Sequence, residues 1–358
     1  MEIKIPIIGL EFTEEEKEAL IGILDSKRIT RDGWTEKFNE EFAKFLGVKF
    51  SSTVCSGTVA LFIGLKALGV DKGDKVVVPA MSFMATIDAV LLAGGEPIVV
   101  DVDDFYTIDV NQLEDAVRKF KPKVVIPVHL YGQPADMESI MFLADKYGFF
   151  VLEDSAQAHG AEFKGKKVGA WGHIGAFSFY ASKNVPMGEG GTLTTNDESI
   201  FKKIKSWIDF GEKPAFNVRI TEFQAAIGTI QLKKLRERNE RRRNIAKVYT
   251  ENLEDSYIVP RERKEAYHVY HLYTLRHKNR DEIIKKLRER GIDARVYYNY
   301  LLHELRDANG LPTPKAEQFK KEVFSIPVHP FLKEEEVIYI INSLKESSYE
   351  NNLNNHGA

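Results

Sequence analysis

Cysteine is almost absent from this sequence, because Cys55 is the only one among 358 residues. A single cysteine cannot form an intramolecular disulfide, and it excludes a zinc site built from paired cysteines. An excess of basic residues is also missing, since 50 Lys and Arg stand against 53 Asp and Glu, for a net charge of −3. Proteins that bind nucleic acid usually carry such an excess, so nucleic acid is not an expected partner.

Long apolar runs are missing as well. None approaches the roughly 18 residues needed to cross a bilayer, and the N-terminal segment lacks the apolar core of a signal peptide. The hydrophobic content of 43% and the charged content of 29% are those of a globular chain. Together with the lone cysteine, these features predict a cytoplasmic protein without membrane contact.

Short β-branched runs alternate with amphipathic stretches between about residues 73 and 195. The runs occupy 75–79, 97–101, 123–128, 149–154, 175–180 and 191–195. The earlier runs are nearly continuous in apolar residues, as is typical of parallel strands covered on both faces. The pattern predicts an α/β fold with a mostly parallel central sheet flanked by helices. Because no helix-length segment separates the last two runs, we expect one of them to be antiparallel.

The character of the sequence changes near residue 220, where a long and highly charged helical stretch begins. Its basic cluster, 236–243, is interpreted as a solvated helix face rather than a nucleic-acid contact. We predict a large α/β domain over 1–235, whose N-terminal segment packs on the second domain. A smaller α+β domain would follow over 236–350, and a polar tail over 351–358.

Two features resemble parts of a ligand site at the carboxyl ends of strands, the usual place in an open α/β sheet. Ser56, Gly57 and Thr58 precede a helical pattern, where free backbone N–H groups either bind a phosphate or simply begin the helix with a cap. Asp154 ends a strongly apolar strand, so its carboxylate either needs a buried partner or belongs to an exposed loop.

Two further features follow other strands. Lys183 lies in a loop that leads to three glycines, and it is either an activated amine or an ordinary surface lysine. Phe83 follows the strand at 75–79 and either stacks on a planar ring or belongs to the core. A phosphate cradle, a carboxylate, a lysine and an aromatic ring together are the parts that hold pyridoxal 5′-phosphate (PLP). The histidines show no metal-ligand spacing, so no metal is expected.

The sequence resembles the DegT/DnrJ/EryC1/StrS family of sugar aminotransferases, within the aspartate-aminotransferase-like fold type I of PLP enzymes. The resemblance covers nearly the whole chain. It is carried by ordered segments that include SGTVALFIGLKALGV, VLEDSAQAHGAEFKGKKVG, FSFYASKNVPMGEGGTLTTND and FNVRITEFQAAIGTIQLKKL.

The resemblance implies a role for each matching residue around the cofactor. Lys183 would bond covalently to its aldehyde, Asp154 would pair with the pyridine nitrogen, and Gln157 would lie by the phenolic oxygen. Phe83 would stack on the ring. The phosphate would be bound by Gly57, Thr58 and Ser178, and by Asn217 of a second subunit. The last assignment implies a homodimer with shared active sites.

The activity that the resemblance implies is transfer of an amino group from an amino acid, L-glutamate above all, to a keto sugar nucleotide by a ping-pong mechanism. Alternatives are a PLP-dependent sugar dehydratase or lyase, or a PLP-binding regulatory protein without catalysis. Some family members have histidine where this chain has Lys183 and dehydrate sugars instead of aminating them, so Lys183 argues against that branch. Trp34 and Pro186 depart from the common family pattern, so the sugar stays open.

Overall fold

The computed structural model of the chain describes residues 3–30, 32–209 and 215–354. Within these residues the helices are α1 (Glu14–Ser26), α2 (Trp34–Leu46), α3 (Gly57–Ala67), α4 (Ala85–Leu92), α5 (Val110–Phe120), α6 (Met137–Tyr147), α7 (Glu198–Ile208), α8 (Glu222–Leu253), α9 (Arg280–Glu289), α10 (Leu302–Leu305), α11 (Pro314–Glu322) and α12 (Glu334–Asn354). None of the helices in the described part is long and apolar enough to cross a membrane.

The strands are β1 (Phe50–Val54), β2 (Lys75–Pro79), β3 (Glu96–Val100), β4 (Val124–Val125), β5 (Phe150–Asp154), β6 (Glu162–Phe163), β7 (Lys166–Lys167), β8 (Ile174–Ser178), β9 (Gly191–Thr195), β10 (Ala266–Tyr267), β11 (Tyr273–Arg276), β12 (Asn309–Gly310) and β13 (Val323–Ile326). Eight of them form one sheet in the order β1-β9-β8-β5-β4-β2-β3-β12. Pairing is parallel from β8 to β12, whereas β9 runs antiparallel to both β8 and β1. The predicted α/β fold is confirmed, and β9 is the expected antiparallel strand.

Helices cover both faces of this sheet, which explains the continuous apolar runs. Val76 and Val78 of β2 pack into a core with α3, α4 and α7, whereas Val77 packs into a separate core with α5 and α6. Since successive side chains of a strand point to opposite faces, a strand between two helical layers needs apolar residues at every position. All three valines are fully buried.

The C-terminal part has its own core, in which the end of α8 packs with β11, β13, α9 and α12. The predicted boundary at residue 235 falls inside the continuous helix α8, and the division into domains stays a prediction. Ile5 of the N-terminal segment pairs with Ile292 in this part of the chain. Helix α12 continues to Asn354, and residues 355–358 of the predicted tail lie outside the described residues.

The sequence analysis did not predict two strands of the main sheet. The sequence of β1, FSSTV, carries hydroxyl residues at buried positions, where Ser51 Oγ lies 3.0 Å from Thr192 Oγ1 of β9. A buried hydroxyl that pairs across a sheet is not visible as apolar periodicity. Strand β12 comprises only Asn309 and Gly310, a turn-like pair that pairs with β3 from far along the chain.

Glu153 anchors the strand that ends in Asp154. The two residues are adjacent on β5, and the Glu153 side chain is fully buried. Its carboxylate accepts hydrogen bonds of 2.6–2.7 Å from three backbone N–H groups of one loop, those of Gly169, Trp171 and Gly172. His129 Nε2 lies 3.1 Å from the same carboxylate. This network fixes the end of β5 from the face opposite to Asp154.

Replacing Glu153 should therefore destabilise the fold. We expect Glu153→Ala to lower the free energy of unfolding by about 3 kcal/mol or more, because each buried N–H without an acceptor costs about 1–3 kcal/mol. Glu162→Ala is the control, since that carboxylate only pairs with Lys167 at 3.5 Å near the surface, and such pairs contribute about 1 kcal/mol or less. Denaturant unfolding measures both, and equal losses would contradict the anchoring role.

Candidate active site

A cavity of about 450 Å³ opens at the carboxyl ends of β2, β5 and β8. Seven of the eight residues that the sequence analysis selected line it: Gly57, Thr58, Phe83, Asp154, Gln157, Ser178 and Lys183. A larger and more open cleft of about 970 Å³ lies along α8 and contains none of them. The sheet topology explains why these residues meet, because parallel strands deliver their following loops to the same edge.

One end of the cavity is suited to an anion. Ser56 is the N-cap of α3, and its Oγ accepts from the backbone N–H of Val59 at 3.3 Å. Gly57 and Thr58 open the helix, where backbone N–H groups have no partner inside the helix and the helix dipole is positive. A Cβ added to Gly57 would lie 2.7 Å from Cβ of Ser178, so glycine is needed for this close approach.

Asp154 lies deeper in the cavity and is 5% exposed. Its Oδ2 accepts from Thr86 Oγ1 at 2.9 Å, and its Oδ1 accepts from the backbone N–H of Ala156 at 3.2 Å. Burial raises the pKa of this carboxyl, whereas these hydrogen bonds and the charge of Lys183 act in the opposite direction. A buried and oriented carboxylate of this kind can hold a proton on an aromatic nitrogen.

Lys183 belongs to the loop after β8. The loop is closed by backbone hydrogen bonds from Ala181 to Gly188 at 3.0 Å and from Lys183 to Tyr180 at 2.8 Å. Burial lowers the pKa of the Lys183 amine to about 8, and the attraction of Asp154 opposes that shift. A lowered pKa leaves more of the amine unprotonated at neutral pH than in an exposed lysine, and only the unprotonated amine is a nucleophile or a base.

Gln157 and Phe83 complete the part of the site that the sequence predicted. Gln157 accepts from the backbone N–H of Tyr131 at 2.8 Å and donates to the hydroxyl of Tyr298 at 3.0 Å. Phe83 is 47% exposed, and its ring lies 5.7 Å from that of Tyr298. Phe83 is thus at the mouth of the cavity and not in the core.

The sequence analysis missed Thr86 and Tyr298. Thr86 follows Phe83 by three residues, so a helical spacing that brings both toward one face was an available signal. Tyr298 comes from a segment more than 100 residues after the other cavity residues, and no motif around it marks a site. Asn217 is exposed and does not line the cavity of its own chain, so its assignment to a second subunit stays a prediction.

Comparison with known proteins decides the family. The model of the DegT/DnrJ/EryC1/StrS aminotransferase family matches residues 11–345. The chain belongs to this family. The resemblance of the sequence is thereby confirmed, together with the fold type that it implied.

Three relatives illustrate the range of this family. A protein of Geobacillus stearothermophilus called "Pleiotropic regulatory protein" is 37% identical, over 96% of this chain and 98% of its own. A UDP-N-acetyl-3-dehydro-alpha-D-glucosamine 3-aminotransferase of Acidithiobacillus ferrooxidans is 36% identical with the same coverage. The E. coli GDP-4-keto-6-deoxy-D-mannose-3-dehydratase, solved with bound hydrated PLP, has a TM-score of 0.90 and 25% identity, covering 96% of this chain and all of that one.

PLP is the cofactor of this family member, and the residues of the cavity fit it. The close approach of Gly57 to Ser178 forms a cradle beside the free N–H groups of α3, suited to a phosphate. Lys183 would supply an amine for the aldehyde, and Asp154 would supply a buried carboxylate for the pyridine nitrogen. The cradle and the two charged groups line one cavity.

A methyl group at position 57 should weaken cofactor binding. We expect Gly57→Ala to lower the affinity for PLP by about tenfold or more, because the added methyl must displace Ser178 from the phosphate, and a hydrogen bond to a charged group contributes about 1.5–3 kcal/mol. Gly22→Ala in α1 is the matched control, since its added Cβ meets nothing within 4 Å and should slightly stabilise the helix. Titration of the apoprotein with PLP measures both, and unchanged affinity in Gly57→Ala would contradict the cradle.

Proposed function

We propose that this protein moves an amino group from an amino acid, with L-glutamate as the expected donor, to the carbonyl carbon of a keto sugar attached to a nucleotide. The observation that carries the proposal is the Lys183 amine with its lowered pKa, which lines one cavity with the Asp154 carboxylate and the cradle at Gly57. A relative at 36% identity is named as an aminotransferase of a UDP-linked dehydro sugar, which supports the acceptor class.

Each cavity residue would have a separate role in such a transfer. PLP, when bound, supplies a conjugated ring that spreads the negative charge formed when a neighbouring carbon loses its proton. Lys183 moves that proton, as base and then as acid, and its lowered pKa suits both roles near neutral pH. Asp154 would keep the ring nitrogen protonated, Gln157 would lie at the phenolic oxygen, and Phe83 would cover the ring face.

Amino donor and sugar acceptor would use the same cavity in turn. A volume of about 450 Å³ lies within the usual range for small-molecule sites. Since Lys183 and Asp154 line it, both substrates must place their reacting carbon against the same amine. This arrangement supports ping-pong kinetics, in which the donor product leaves before the sugar enters.

Two alternatives come from within the family. A dehydratase relative shares the fold, but family members of that branch carry histidine where this chain has Lys183. A regulatory role is suggested by the name of another relative. It would not by itself require the buried and partly neutral amine that Lys183 provides, or the oriented carboxylate of Asp154. Both features favour the aminotransferase.

The proposal extends to a homodimer in the cytoplasm, in which each active site includes Asn217 of the partner. Phe83 and Tyr180 line the cavity, and each has nearly half of its surface exposed, as expected if another chain covers the mouth. Asn217 itself is exposed and available to a neighbour. A free Cys55 as the lone cysteine fits a reducing compartment.

The transfer is tested by following each half-reaction in absorbance. L-Glutamate added to the PLP-loaded protein should remove the absorbance band of the lysine-bound cofactor. A keto sugar nucleotide should then restore that band and yield the amino sugar. Release of pyruvate or ammonia without an acceptor would favour a lyase, and a band that no amino acid alters would favour the regulatory role.

Shared sites are tested by mixing two inactive variants, Lys183→Ala and Asn217→Asp. The carboxylate of Asn217→Asp would repel the cofactor phosphate, since like charges at contact distance disfavour binding. In a mixed dimer one site carries both defects and the other carries none, so about one site in two should regain activity.

Asn342→Asp is the control, because Asn342 is exposed on α12 and far along the chain from the site residues. This variant should be active alone, which shows that an added surface carboxylate is harmless. If mixing Lys183→Ala with Asn217→Asp restores nothing, Asn217 serves its own chain and the shared-site proposal fails.

A further inference from the structure

A second and much smaller cavity lies against the first. Its volume is about 60 Å³, and it shares Lys183, Gln157 and Tyr298 with the larger cavity. It adds two basic residues that the larger cavity lacks, Arg242 of α8 and His271. Lys183 therefore forms part of the wall between two compartments of different size and different charge.

Arg242 is a buried cation for which the described part of the chain provides no anionic partner. It is 7% exposed, and its guanidinium donates one hydrogen bond, from Nη1 to the carbonyl oxygen of Val328 at 3.4 Å. Among the residues that the structure describes, no carboxylate lies within ion-pair distance of it. Burial, followed by the charge of Arg238, lowers the pKa of Arg242 to about 9, so the guanidinium stays protonated at neutral pH.

Three basic groups interact electrostatically with Arg242, namely Arg238, His271 and His329. Arg238 already pairs with Glu11 at 3.4 Å, so Glu11 is engaged elsewhere. His271 interacts with Asn184 at 3.1 Å, and His329 is 6% exposed. The charge of Arg242 contributes to lowering the pKa of both histidines.

An unpaired buried charge is costly, and a protein rarely keeps one unless a ligand completes it. The free donors of a guanidinium are shaped to bind a carboxylate by two parallel hydrogen bonds. A volume of about 60 Å³ admits a group of that size but excludes a sugar or a nucleotide. The compartment is thus matched in charge and in size to a carboxylate.

We propose that Arg242 binds the α-carboxylate of the amino donor in this second cavity. The inference rests on the proposed function, since it requires that an amino acid be the donor. The α-carboxylate is favoured over a side-chain carboxylate because it lies one bond from the carbon whose proton Lys183 takes. Lys183 and Arg242 line the same small space. Only that carboxylate enters the second cavity, because the α-carbon of the donor stays against Lys183, where the sugar reacts later.

Arg241 offers a matched control for this role. It precedes Arg242 on α8 and also donates to a backbone carbonyl, that of Leu332 at 3.1 Å. It lines a separate groove at the surface and none of the three cavities that contain Lys183. The two arginines therefore differ in burial and in whether they line a cavity together with Lys183.

The test compares Arg242→Gln with Arg241→Gln in the PLP-loaded protein. We expect Arg242→Gln to raise the KM for L-glutamate by about 10- to 100-fold, the usual value of a hydrogen bond to a charged group. The reverse half-reaction with the amino sugar nucleotide should stay within about twofold. Arg242→Lys should recover part of the loss, and Arg241→Gln should match the wild type in both half-reactions.

Two amides of glutamate identify which carboxylate is bound. Wild-type protein should bind the α-amide, measured by competition with L-glutamate, at least about tenfold more weakly than glutamate itself. In Arg242→Gln that difference should nearly vanish, whereas the difference between glutamate and its γ-amide should not change. If instead the γ-amide difference vanishes, or neither does, the proposal is overturned.

A binding measurement separates this inference from the proposed function. Glutarate has both carboxylates of the donor but no amine to transfer, and calorimetry reports its binding without any reaction. The wild type should bind glutarate, and Arg242→Gln should bind it at least about tenfold more weakly. If the wild type and Arg242→Gln bind glutarate equally, or if the wild type does not bind it, the role of Arg242 is overturned even where transamination proceeds. Failure of the wild type to react with any amino acid would instead refute the proposed function.

Discussion

The chemistry of this protein depends on the burial of one lysine beside one aspartate. Removal from water disfavours the charged form of Lys183 and lowers its pKa to about 8. The same burial raises the pKa of Asp154, and each group partly offsets the shift of the other. These two pKa shifts would not persist at the surface, because water there would screen the pair and restore ordinary pKa values.

The fold supplies that burial through the neighbouring strands β5 and β8, which are parallel and end at the same edge of the sheet. Asp154 is the last residue of β5, and the loop after β8 carries Lys183 back over it. Glu153 fixes the end of β5 from the opposite face through the loop at 169–172. A network on the opposite face of the sheet thus sets the position of the carboxylate.

The sequence predicted the architecture well because both faces of the central strands are buried, which leaves a continuous apolar pattern. It predicted Asp154 and Lys183 because polar residues stand out at the ends of such strands. It did not predict β1, whose buried hydroxyls pair across the sheet, or β12, whose pairing with β3 spans over 200 residues. Tyr298 was missed because it reaches the site through contacts between distant segments, which leave no local pattern. The interpretation of 236–243 as a solvated helix face was wrong for Arg242, which is buried.

The central claim is that Lys183, and no other lysine, is the amine that bonds to PLP. The most direct measurement is borohydride reduction of the PLP-loaded protein, which makes the bond permanent, followed by proteolysis and mass mapping. The account predicts that the mass of the reduced cofactor appears on the peptide that contains Lys183. Cofactor mass on a peptide with a different lysine, or on no peptide at all, would contradict it.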